Sequence, residues 1–225
     1  MDPGHKTSAS TYKLAPSTKL LAWALVTGAV LVIGAIRDGQ PPQPSAAQAF
    51  AAPSTAPTPS RTAPPALRAV RTLPAAAPVR IRIPSIKVNA PVTKLGLDRT
   101  GALRPPPGDD PNLAGWYSKG TTPGSAGTAL IAGHVDLRGG RPGVFFSLGA
   151  LTKGATIRIG RSDGRTAVFT VDAVEVYSKA DFPSEKVYAG SGRPELRVIT
   201  CGGGYAKNTG YLGNVVVYAS LTAVK

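Results

Sequence analysis

Hydrophobic and polar positions alternate in short runs along the C-terminal two thirds of the chain. VRIRIP (79–84) alternates strictly, and so does the stretch from Ile86 to Val92. GTALIAGH (127–134) has the continuous apolar texture of a buried strand. ATIRIG (155–160) and TAVFTVDAVEVY (166–177) flank the turn Ser162-Asp163-Gly164, which predicts a hairpin. ELRVIT (195–200) and NVVVYASL (214–221) complete the series. Phe145 to Leu151 and Pro183 to Ala189 each leave room for one or two helical turns, and no long amphipathic helix appears. Seven or eight short strands predict an all-β domain over residues 79–225, either a closed barrel or a sandwich.

The N-terminal third reads differently. Residues 1–19 are polar and carry Lys6, Lys13 and Lys19, whereas residues 20–36, Leu20 to Ile36, hold no charge. As a helix this run is about 25 Å long, slightly short of a ~30 Å hydrocarbon core. Lys19 can snorkel to the interface and the bilayer can thin. The positive-inside rule then puts 1–19 in the cytoplasm, with 20–36 as a single-pass transmembrane signal-anchor and the rest outside the cell. The competing reading is a cleaved signal peptide, with Ala47-Gln48-Ala49 resembling a cleavage site that lies far beyond the apolar run. Residues 37–78 are an Ala/Pro/Ser/Thr-rich linker, with ten of the 22 prolines between Gly39 and Pro78. Such a composition predicts an extended spacer rather than a packed core.

Charge narrows the partners. The formal net charge is +14, of which residues 79–225 carry +9 (19 basic against 10 acidic side chains). A basic excess suits an anionic partner such as a membrane surface or a cell-wall polymer. The cations are scattered singly without interleaved aromatics, which argues against nucleic acid. A single Cys excludes an internal disulfide and any Cys-cluster metal site. Asp98, Asp109, Asp110 and Glu175 are too sparse for a calcium site, and no ligand spacing supports a metal on His134, Asp136 and Cys201.

Chemistry concentrates on two residues. Cys201 follows the strand ELRVIT and precedes Gly202-Gly203-Gly204, whose open backbone offers amides to an oxyanion; Arg197, Ile199 and Cys201 share one face by the period of two. His134 ends the strand GTALIAGH. From spacing alone, Cys201 is either a small buried apolar side chain or a nucleophile, and His134 either a structural histidine or its base. The domain's one thiol and one imidazole both lie at strand ends, and a thiol needs a nearby imidazole to become a thiolate and to protonate a leaving amine. Asp136, two residues after His134, is a candidate to orient the ring. Trp116 and Tyr117 read as core and rim.

Leu196-Arg197-Val198-Ile199-Thr200-Cys201 resembles the nucleophile strand of the sortases, and Ala132-Gly133-His134-Val135-Asp136 their histidine segment. Ala114-Gly115-Trp116-Tyr117, Pro123-Gly124, Cys201-Gly202-Gly203 and the stretch Tyr211 to Ala219 are similar to actinobacterial class F sortases, with class E next. The resemblance implies an eight-stranded sortase-type β-barrel over 79–225, in a membrane-anchored extracytoplasmic cysteine transpeptidase. It implies that Cys201 attacks a C-terminal sorting signal of the Leu-Pro-x-Thr-Gly type and holds an acyl-thioester, with His134 as acid and base. The implied partners are secreted proteins bearing that signal and a cell-wall precursor or other amine acceptor, with no cofactor and no metal. One position departs from the family: where sortases place an Arg at the start of the final strand, this chain has Asn214. Asn214 is therefore a candidate donor, and Arg138, Arg141 and Arg197 are candidates for the missing cation. Two rivals remain at this stage, a hydrolase using the same Cys/His pair without an amine acceptor and a non-catalytic cell-wall-binding barrel.

Overall fold

The computed structural model describes residues 39–51 and 71–225. The apolar run 20–36 lies outside the described residues, and among those described no helix is long and apolar enough to cross a membrane. The described residues from Pro41 onward form one unit.

Eight strands close into a barrel in the order β1-β2-β3-β4-β9-β10-β8-β7. They are β1 (Pro78–Ile83), β2 (Val88–Leu95), β3 (Ala114–Tyr117), β4 (Gly127–Gly133), β7 (Thr156–Arg161), β8 (Thr166–Ser178), β9 (Pro194–Ala206) and β10 (Gly210–Val224). A two-residue pair, β5 (Asp136–Leu137) with β6 (Arg141–Pro142), stands apart from the barrel. The expected hairpin forms at Ser162-Asp163-Gly164 between β7 and β8. The two apolar segments outside the strands become a 3-10 turn (Leu148–Ala150) and a short helix α1 (Ser184–Tyr188).

Alternation decides what fills the barrel. Ile81 and Ile83 on β1, Ala129 and Ile131 on β4, Ile157 and Ile159 on β7, Leu196 and Val198 on β9, and Val215, Val217 and Ala219 on β10 point inward. Phe145, Leu148 and Leu151, from the segment before β7, pack into the same core. Each fully buried side chain of this size contributes about 1.5–3 kcal/mol. A second, smaller cluster forms outside the barrel, where α1 lays Val187 over Ala173, Val216 and Tyr218.

Two features of the topology position the site. β4 and β9 pair in parallel, with Ala132 level with Ile199, so both strands run toward the same end of the barrel. β9 and β10 form a long antiparallel hairpin in which Asn214 lies directly opposite Cys201. Cys201 thus sits inside a paired strand rather than at its end. The glycines after it keep pairing, and Gly203 takes φ 73°, which accommodates the irregularity in register between Tyr211 and Gly213.

Residues 41–51 of the Pro-rich stretch lie on the barrel. The Phe50 ring meets Tyr218 edge-on at 5.0 Å, and its amide donates to Glu175 at 3.0 Å. The Lys153 amide donates to Gln48 Oε1 at 2.8 Å, and the Gly203 amide to Gln43 Oε1 at 3.2 Å. Just before β1, the Leu73 amide donates to the Gly124 carbonyl at 2.8 Å. The buried Arg161 guanidinium donates to the carbonyls of Pro74 and Pro123 and pairs with Asp163 at 3.1 Å. The linker segment 52–70 lies outside the described residues.

Candidate active site

Parallel pairing and a period of two bring the sequence candidates together. Ala132 and Ile199 face outward, since Ile131 and Val198 face the core. Two residues further along, Cys201 takes that outer face of β9, and His134, one residue past the end of β4, lines the same cavity. Asn214 lies on the other side of Cys201, and Tyr177 on β8 pairs with Asn214. His134, Cys201 and Asn214 line one cavity of about 250 Å³, with Leu103, Arg104, Pro105, Pro106, Phe182 and Tyr188. Thr200, the residue before the cysteine, points the other way. It is buried, and its hydroxyl donates to the Gly133 carbonyl at 2.8 Å, tying the cysteine strand to the histidine strand one residue before each side chain.

His134 Nε2 lies 2.8 Å from the Pro106 carbonyl oxygen. A carbonyl only accepts, so Nε2 carries a proton and the neutral ring keeps its free lone pair on Nδ1. The ring is fixed by this contact and not by Asp136. The Asp136 carboxylate instead accepts from the Tyr211 hydroxyl at 2.6 Å, which joins the β9–β10 hairpin to the segment following His134. Burial first, and that hydrogen bond second, push the Tyr211 phenol far above its ordinary range.

Cys201 is half-buried and its thiol is pushed up, chiefly by burial; the nearby Asp136 charge acts in the same direction and Lys179 against it. The thiolate therefore depends on neighbouring cations and on the imidazole. The Gly203 amide, a candidate oxyanion donor, is taken by Gln43. Asn214, paired with Cys201 across the two strands, places a side-chain amide beside the sulfur.

The three arginine candidates are not brought to the cavity. Arg197 is buried on the outer face, bonded to Glu195 at 2.8 Å and stacked 4.4 Å above the Tyr218 ring, and its Nε has no partner. Arg138 and Arg141 are exposed in the β5–β6 segment. Two features were not singled out in the sequence. One is the wall formed by Arg104, Pro105 and Pro106, in the loop between β2 and β3. Its signal is the triplet Pro105-Pro106-Pro107, a stiff segment inside a domain of short turns. The other is a larger cavity of about 660 Å³, lined by Leu97, Leu103, Tyr117, Thr128, Leu130 and Tyr188 among others. It shares Leu103 and Tyr188 with the first cavity, so the two adjoin beside β4.

The sortase domain family matches residues 81–222, well over half of the chain. Comparison with curated protein sequences yields no match. Among solved structures the chain is similar to sortase A of Listeria monocytogenes, at 20% identity and a TM-score of 0.48 over 66% of this chain and 90% of that one. It is similar to sortase A from Corynebacterium diphtheriae at 21% identity and 0.48, covering 66% of this chain and 62% of that one. Sortase C-1 from Actinomyces oris matches at 21% and 0.48, over 64% and 73%. The matched domain spans both the histidine and the cysteine strand, and the chain belongs to the sortase family, the cysteine transpeptidases that anchor proteins to the cell wall.

Proposed function

We propose that Cys201 is the nucleophile, His134 the acid and base, and Asn214 the oxyanion or substrate donor of this transpeptidase. The observation that carries the reading is that these three residues line one cavity, with Asn214 paired to Cys201 across β9 and β10 and His134 one residue past the end of β4. The Cys201 thiolate attacks the carbonyl of the scissile peptide. Nδ1 of His134 has taken the thiol proton; the S–C bond forms as the C–N bond breaks, and His134 gives that proton to the leaving amine. An acceptor amine then attacks the thioester, its N–C bond forms, its proton passes to His134 and the thiolate leaves.

The substrate is a secreted protein with a C-terminal sorting signal of the Leu-Pro-x-Thr-Gly type, and the acceptor a cell-wall amine. The apolar side chains Leu97, Leu103, Leu130 and Tyr188 in the larger cavity suit the Leu-Pro part of such a signal. The enzyme works outside the cell, anchored through residues 20–36, and is most similar to class F sortases, with class E next; the Trp116 and Cys201-Gly202-Gly203 segments support that class. Incubation with a Leu-Pro-x-Thr-Gly peptide and a glycine-based amine should give a ligated product, and Cys201→Ala should give none. A Cys201→Ala enzyme that still ligates would remove the cysteine mechanism.

A further inference from the structure

The transpeptidase must hold a thiolate and then an oxyanion, yet among the described residues the only cation lining the cavity is the exposed Arg104 of the β2–β3 loop. Asn214 is neutral, and Arg197 is committed to Glu195 and Tyr218. The ladder supplies another from the next strand. β8 ends at Ser178, opposite Gly213, and the bonding continues one residue further: the Lys179 amide donates to the Leu212 carbonyl at 2.9 Å. Tyr177 lies on the outer face, its hydroxyl 3.0 Å from that of Tyr218, and is level with Asn214 and Cys201. Lys179 is one residue past the end of β8, where alternation carried on by the bond to Leu212 places it on that face. It lies two strands across and two residues along from Cys201, about 12 Å between Cα atoms by strand spacing and rise. The four-carbon stem of lysine covers about half of that distance.

We propose that Lys179 is the cation of this active site, its ammonium reaching over Asn214 to stabilise the Cys201 thiolate and the oxyanion formed when that thiolate attacks a carbonyl. The inference rests on Cys201 being the nucleophile. Among the described residues, the other charged or titratable groups near Cys201 each have a defined place. His134 follows β4, Arg104 lies on the loop between β2 and β3, Asp136 on β5 and Tyr211 on β10, with the Tyr211 proton held against Asp136. Both cations are exposed and lie outside the strands, each held by one backbone bond, Lys179 to Leu212 and Arg104 to Gly96; Arg104 lines the cavity, whereas Lys179 continues the β8–β10 ladder past Tyr177 and is the cation whose charge acts on the Cys201 thiol. The pull of Lys179 on the thiol opposes both burial and Asp136.

The chain has a single cysteine, so iodoacetamide alkylation reads one site. Rates are measured on the full chain from pH 5 to 10 for the wild type, Lys179→Ala, Lys179→Arg, Asp136→Asn and Arg104→Ala. Lys179→Ala should move the alkylation midpoint up by about half to one pH unit and slow labelling at pH 7 by roughly 3- to 10-fold. It should also lower kcat for a sorting-signal peptide by at least 10-fold with little change in KM, the pattern of a lost transition-state interaction. Lys179→Arg should restore both readouts, and Asp136→Asn should move the midpoint down. An unchanged midpoint and kcat in Lys179→Ala, or a loss seen only in Arg104→Ala, would overturn the assignment. Wild-type chain that alkylates with the expected Lys179 dependence but never forms an acyl-enzyme would instead remove Cys201 as the nucleophile.

Discussion

At the scale of single residues, the site is a set of side chains made unequal by their surroundings. Cys201 and Thr200 are neighbours with opposite tasks. One lines the outer cavity, and the other faces the core and bonds the histidine strand. The pair is legible in the sequence as an apolar strand ending in Thr-Cys, but the reason for the threonine, a hydrogen bond to the Gly133 carbonyl, depends on a strand 67 residues away. Asn214 is the residue whose role most needs measuring. If it donates to the oxyanion, Asn214→Ala should lower kcat/KM by roughly 10²-fold, the scale of one lost donor. Asn214→Asp should be at least as harmful, since its charge would oppose the developing oxyanion and the thiolate. Wild-type kinetics in a folded Asn214→Ala enzyme would take the residue out of the site. The pH dependence has a definite sign. Burial raises the Cys201 thiol, the reactive form is deprotonated, and so thiol reactivity should fall as the pH drops from the alkaline side.

At the scale of elements, two pairings decide whether the site exists: β4 beside β9 in parallel, and β9 against β10. Both strands of the first pair were readable as strands, because Leu130 and Ile131, and Val198 and Ile199, sit in apolar runs. Their adjacency was not, since nothing local to residues 127–134 specifies a partner near 195–201. The expectation that Cys201 ends its strand reflects the turn preference of three glycines in a row; here pairing with β10 carries the strand on to Ala206. The position of His134 hangs on Gly133. A Cβ there would come within 2.5 Å of Val144 Cγ1 and 2.6 Å of the Phe145 ring, both part of the core. Gly133→Ala should therefore cost about 1–3 kcal/mol of stability. It should lower kcat/KM by more than the folded fraction explains, because relief of the clash moves His134 away from the Pro106 carbonyl. Thermal denaturation together with kinetics below the melting transition checks both parts. An alanine variant with unchanged Tm would show that the segment from Val144 to Phe145 yields freely.

At the scale of the whole molecule, a closed barrel was legible because strand-length alternation, hairpin turns and the lack of long helices left few other ways to bury the apolar faces. The choice of barrel over sandwich needed the long-range ladder. Pinning of residues 71–77 by Arg161 was not legible, because two of its partners are backbone carbonyls with no sequence signature. The anchor proposed for residues 20–36 has its own test. External protease on intact cells should release the domain by cutting in the linker and leave the first ~36 residues in the membrane, whereas a mature N-terminus near Phe50 would end the anchor proposal. The central claim, that Cys201 becomes acylated by a sorting signal, is tested most directly by one intact-mass measurement. The domain is mixed with a Leu-Pro-x-Thr-Gly peptide without an acceptor amine and quenched in acid. The mass should rise by the peptide fragment ending at the Thr carbonyl, mapped to Cys201, removed by hydroxylamine and missing in Cys201→Ala. Cleavage of the peptide with no adduct at any quench time, or an adduct on another residue, would contradict the claim.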